Sequence, residues 1–207
     1  GDNNKRLTPF AADLGEDPQS FTAETSINSQ ESIGRWLLPN TWGGTVPSST
    51  WTFSMNYEVS NAAGARIQNA TATVSIGSKT FSQELDQGSS FLAQGAGSLT
   101  FDIDVETLTA SGSSNIELEL TVQAVVFSVP ATDAKLEFLW GSEDKDSSIE
   151  ATIPLVDILM VEPEVEGSDV YLAVRLDSPW GLSTLAMAES ITLKVNGQAV
   201  PGDPIET

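Results

Sequence analysis

From residue 50 onward the chain keeps a two-residue rhythm of apolar and polar positions. Trp51, Phe53, Met55, Tyr57 and Val59 alternate with Thr52, Ser54, Asn56 and Glu58. Successive side chains of a strand point to opposite faces, so this pattern predicts a strand with one face in a core and one in water. Asn61-Ala62-Ala63-Gly64 reads as a turn. Ala70, Ala72, Val74 and Ile76 resume the alternation, Gly77-Ser78 turns, and Thr80 to Leu85 returns, which predicts a hairpin over 70–85. Leu99, Phe101, Ile103 and Val105 form the next apolar row. Ile116, Leu118, Leu120 and Val122 form another that runs to Phe127, and Thr107–Asn115 between the two rows is a hairpin loop if the rows pair.

The pattern continues in Leu136, Phe138 and Trp140. Ile149 to Val161 begins with alternation and becomes continuously apolar, which fits a strand buried on both faces or a short helix. Val170, Leu172 and Val174 predict a further strand, Ser178-Pro179-Trp180-Gly181 a loop, and Leu182 to Glu189 either a helical turn or a strand. Ile191, Leu193 and Val195 lead into Asn196-Gly197, a strong hairpin signal, with Ala199-Val200 as the return. Residues 1–45 show no such rhythm. Their isolated apolar residues (Phe10, Leu14, Phe21, Ile27, Ile33) stand in a polar background, with Arg35-Trp36-Leu37-Leu38 as a first strand and Pro39-Asn40 and Trp42-Gly43-Gly44 as a loop.

About ten strands at this spacing, with little helix, define an all-β protein. The expected fold is an antiparallel β-sandwich, jelly-roll-like, over residues 46–207, preceded by an extended N-terminal arm over 1–45. Pro130 to Asp133 marks a sub-boundary near 129–134, and Thr73–Phe81 resembles Thr192–Val200, so two tandem immunoglobulin-like sandwiches are the alternative. The second half lacks a counterpart of the strands in 99–127, which favours one sandwich.

Composition narrows the chemistry. The 207 residues include no His and no Cys. That excludes Ser-His-Asp and Cys-His nucleophile pairs, an imidazole base, a His/Cys zinc site and disulfides. With 40% apolar residues the chain can build a core, yet no window reaches the ~18 apolar residues of a membrane helix. Against 29 acidic residues stand 9 basic ones, a formal net charge of −20. Such a surface repels nucleic acid and anionic lipid and attracts cations. It suits a halophilic or marine setting, or an extracellular one. Gly1 reads as a processed start, so a removed signal peptide is not legible.

Three constellations remain. Asp102, Asp104 and Glu106 alternate with one apolar row and Glu117 and Glu119 with the next, so a hairpin there would gather five carboxylates on one face. Asp144, Asp146, Ser148 and Glu150 place oxygen ligands at alternate positions after Gly141, a spacing suited to calcium, although the glycine and final glutamate of an EF-hand loop are missing and Lys145 intervenes. The other reading is an ordinary turn. Trp42 and Trp180 sit in Gly/Pro loops, where an indole either stacks on a sugar or partner or plugs the end of the core; Trp51 and Trp140 fall on inward rows. Asn69-Ala70-Thr71 is an N-glycosylation sequon. No acidic pair stands out as the two carboxylates of a glycosidase. The expectation is a non-catalytic structural protein requiring no cofactor, a subunit of a virion coat, surface layer or filament, partnered by copies of itself or other subunits outside the cell. The alternative is a carbohydrate-binding or adhesion module.

Overall fold

A computed structural model describes residues 4–7, 17–60, 64–85, 92, 94–127, 135–154, 157–166, 169–179, 194, 195, 198 and 199. The described elements are all strands: β1 (Asn4–Arg6), β2 (Gln19–Ala23), β3 (Ile27–Leu37), β4 (Trp42–Val46), β5 (Ser49–Ser60), β6 (Gly64–Ile76), β7 (Lys79–Leu85), β8 (Gly95–Val105), β9 (Leu108–Ser114), β10 (Ile116–Phe127), β11 (Lys135–Trp140), β12 (Ser148–Glu150), β13 (Asp157–Glu166), β14 (Asp169–Asp177), β15 (Lys194–Val195) and β16 (Gln198–Ala199). The first sheet runs β1-β3-β10-β6-β7. In the second, β5 pairs with β8 along one edge and with β11 and then β12 along the other, and β2 lies outside β11. All pairings are antiparallel except β1 on β3.

The pairs nest. β6 pairs with β7, β5 with β8, β4 with β9, β3 with β10 and β2 with β11. Leu37↔Glu117, Val46↔Leu108 and Ser49↔Val105 follow one another along the same two stretches of chain. β2 to β11 thus pair as one two-stranded ribbon folded over between two sheets, an antiparallel β-sandwich whose pairing is compatible with the jelly-roll-like wrapping expected.

The alternating rows supply the core. Trp51, Phe53, Met55 and Val59 of β5 face Ile67, Ala70, Ala72 and Val74 of β6, and Leu118, Leu120 and Val122 of β10 join them. Trp36 sits at the centre, edge-on to Trp140 (centroids 5.4 Å apart) and tilted against Phe53 (5.9 Å), which stacks on Phe101. Each large apolar side chain taken fully out of water contributes about 1.5–3 kcal/mol.

Three expectations change. Residues 19–45 are not an arm: they form β2, β3 and β4, and Ile27, Ile33, Trp36, Leu38 and Trp42 are buried in the core. Their apolar side chains fill the sandwich, so the sandwich begins well before residue 46. Only β1 has the expected arm-like placement, along an edge of the first sheet, with Leu7 N donating to Leu37 O at 2.8 Å. Thr107–Asn115 is not a loop, because β9 pairs with β4. β10 of the first sheet is followed by β11, which pairs with β5 and β2 of the second sheet, while residues 129–134, where the sub-boundary is expected, lie outside the described residues. Finally, the run Ile149–Val161 is not one element: β12 ends at Glu150, residues 151–154 form no regular structure, and β13 begins at Asp157. The Asn196-Gly197 hairpin holds in its flanks: Lys194 pairs with Ala199 and Val195 with Gln198. Residues 182–189 lie outside the described residues.

Candidate functional site

The five-carboxylate face does not form. β8 belongs to the second sheet and β10 to the first, so Asp102 and Asp104 lie on one outer face of the sandwich and Glu117 and Glu119 on the opposite one. The cause is β9, which carries the chain across with β4 as partner.

Each face relieves its own charge. Thr52 sits opposite Asp102 and Thr50 opposite Asp104, and each threonine Oγ1 donates to the carboxylate across from it at 2.8 Å. Thr22 does the same for Glu137 at 3.0 Å, where Glu58 stands directly across from Glu137 as a like charge. On the first sheet, Ser32 Oγ donates to Glu119 at 2.8 Å and Arg35 Nε donates to the same oxygen at 3.0 Å, with Arg35 Nη1 3.9 Å from Glu117. The hydrogen bond to Glu119, followed by the charges of Glu119 and Glu117, raises the Arg35 guanidinium above its ordinary value. Asn69 of the sequon is tied in similarly: it accepts from Gln30 Nε2 at 2.6 Å and from Thr71 Oγ1, and donates to Glu84.

The loop of residues 141–147 bulges out opposite Met55, since Leu139 pairs with Asn56 and Ser148 with Ser54. Two serines shape it. Ser147 Oγ donates to Leu139 O at 2.7 Å and accepts from Asn56 N at 2.8 Å, closing the bulge onto β5. Buried Ser142 accepts from Lys145 N through both its carbonyl (3.1 Å) and its Oγ (3.2 Å). Gly141, at φ +81°, makes the left-handed turn into the bulge that side-chain-bearing residues avoid. Asp144, Asp146, Ser148 and Glu150 are all exposed. Among the described residues, no three acidic side chains are grouped closely enough to hold a metal ion.

The aromatic candidates separate. Trp42 is fully buried on β4, so it offers no stacking surface; the glycines after it are strand residues and not a loop. Its Nε1 has no hydrogen-bond partner. Trp180 lies outside the described residues. Trp51 and Trp140 are core, with Trp51 Nε1 donating to Ser49 Oγ at 3.2 Å and Trp140 Nε1 to Gln19 Oε1 at 3.3 Å. Sequence reasoning missed the hydroxyl donors. Their signal was the facing of Thr50-Trp51-Thr52 with Asp102-Ile103-Asp104, visible only once β5 is known to pair with β8.

No protein-family model matches the chain, and no curated protein matches it.

Proposed function

We propose that the chain is a non-catalytic structural protein, a subunit of an extracellular or particle-surface assembly such as a virion coat, surface layer or filament. One observation carries this reading. Asp102, Asp104 and Glu137 lie on one outer sheet face and Glu117 and Glu119 on the opposite one, each committed to a hydroxyl or to Arg35. A general acid or base needs a carboxyl aimed at a substrate in a cleft; flat, internally bonded faces suit a building block instead. The carbohydrate-binding alternative loses Trp42 to the core and keeps Trp180. Light scattering on the purified chain across salt concentrations, with electron microscopy of native material, tests the proposal. Ordered particles or filaments are expected. A chain that stays monomeric under all conditions and binds glycans on an array overturns it.

A further inference from the structure

We propose that Asn69 is a modification site that carries an N-linked oligosaccharide on its side-chain nitrogen. Asn69-Ala70-Thr71 is the one place in the chain where an Asn stands two residues before Ser or Thr. In an extended chain, residues two apart project to the same side. β6 holds the triplet in that form: Asn69 and Thr71 are half-buried on the outer face of the first sheet, and Ala70 between them is buried in the core. Thr71 Oγ1 donates to Asn69 Oδ1 at 3.3 Å. The ladder also departs from flatness here. Asn69 pairs with Gln123 and Ile67 with Ala124, so Gln68 is an extra residue on β6. A bulge of this kind bends its strand and re-aims the neighbouring side chain.

The hydrogen bonds of Asn69 are compatible with the linkage. Its Oδ1 accepts from Gln30 Nε2 at 2.6 Å and from Thr71, and its Nδ2 donates to Glu84. An amide nitrogen carries a second hydrogen beside the one given to Glu84. Attachment replaces that second hydrogen, so the modified side chain keeps its bonds to Gln30, Thr71 and Glu84. Gln123, directly across on β10, turns its own amide to Asn28 O at 3.0 Å. The transfer acts on the chain before it folds. Asn69 Nδ2 attacks the anomeric carbon of a lipid-pyrophosphate-linked oligosaccharide, the carbon–oxygen bond to the pyrophosphate breaks, Nδ2 gives up one proton, and the lipid pyrophosphate leaves. Nothing is oxidised or reduced. The inference rests on the extracellular part of the proposed function and not on self-assembly.

The test uses the full chain recovered from its native source and the full chain secreted by cultured eukaryotic cells. Intact mass gives the occupancy, and release by a peptide N-glycosidase in heavy-oxygen water, followed by peptide mapping, gives the position. Both materials are expected to show the added mass of an oligosaccharide and a heavy-oxygen label confined to Asn69. In the secreted chain, Asn69→Gln and Thr71→Ala are expected to abolish the added mass and Thr71→Ser to retain it. The glycosylated chain is expected to melt no lower than the chain made in a host without the transfer, because the folded contacts survive attachment. Native material bare at Asn69, a secreted chain of unmodified mass, or a glycosylated chain that melts lower overturns the proposal. Particles bare at Asn69 overturn it and leave the assembly reading standing, whereas a monomer glycosylated at Asn69 supports it and counts against assembly.

Discussion

Gly43→Ala is expected to destabilise the protein markedly although only one methyl group is added. The register between β4 and β9 slips between Trp42↔Ser114 and Gly44↔Ala110, so Gly43 stands opposite the bulged stretch 111–113. A Cβ at Gly43 would lie 2.6 Å from Gly112 N, 2.7 Å from Gly112 Cα and 3.0 Å from the carbonyl carbon of Ser111. Comfortable carbon contacts begin near 3.5 Å, so something must move by about 1 Å. Everything the methyl meets is backbone, and no side chain can rotate away. Moving β9 breaks its pairing with β4; moving β4 lifts Trp42 from its fully buried seat. Overpacking of this kind costs about 1–3 kcal/mol, and the rigid neighbours place this case near the upper value. The loss of glycine entropy in the unfolded chain returns about 0.4–1 kcal/mol, leaving a net loss of about 2 kcal/mol. For a chain of this size that lowers the melting temperature by about 4–8 °C. Gly112→Ala is the internal control, since its Cβ would meet nothing within 4 Å. Differential scanning calorimetry of both variants at fixed ionic strength measures the contrast. A Gly43→Ala melting temperature equal to that of the unmodified chain would refute the close approach of β4 and β9.

The other predictions concern single groups and conditions. Trp42→Phe is expected to cost less than Trp51→Phe by about 1–3 kcal/mol in urea titrations, because the first deletes a buried N–H without a partner and the second breaks a hydrogen bond to Ser49. Ser147→Ala leaves Asn56 N and Leu139 O unpaired and is expected to cost about 1–3 kcal/mol, with faster hydrogen exchange confined to the bulge and the adjoining part of β5. The melting temperature is expected to rise from low salt to ~1 M NaCl as the charges are screened, and calcium at matched ionic strength to add nothing further; a calcium-specific rise lost in Asp146→Asn would make the loop a metal site. Deleting residues 1–33 removes β2 and half of β3, so far-UV circular dichroism is expected to report a chain that no longer folds.

The parts of the fold legible in the sequence are the strands whose phase never slips. β5, β10 and, from Leu99, β8 keep apolar side chains inward, and their rows read directly. β3 was hidden for a physical reason. Its pairing with β10 shifts between Leu120 and Thr121, with Ser32 and Gly34 aligned but Ile33 bulged. A bulge adds one residue and inverts the two-residue phase, so Ile27 and Ile33 point inward on odd positions and Trp36 and Leu38 on even ones. A search for strict alternation sees only scattered apolar residues there. Trp42-Gly43-Gly44 was hidden differently. Its glycines signal a turn by default, whereas here the lack of a side chain lets two backbones touch. The division of the acidic rows was not legible at all. Local pattern fixes which face a residue takes within its strand, but the sheet to which the strand belongs depends on β9 finding β4, some sixty residues earlier in the chain.

The nested ribbon also explains how a chain of net charge −20 accommodates its acidic residues. Folding a ribbon over between two sheets turns one half of each strand's side chains outward, and the acidic residues occupy outward positions. Pairing then brings a hydroxyl to a carboxylate: Thr50 to Asp104, Thr52 to Asp102, Thr22 to Glu137, Ser32 to Glu119. Hydrogen bonds to charged groups contribute about 1.5–3 kcal/mol when sheltered and less when exposed, enough to offset cross-strand repulsion of about 0.2–1 kcal/mol per pair. The side chains of these faces therefore largely satisfy one another.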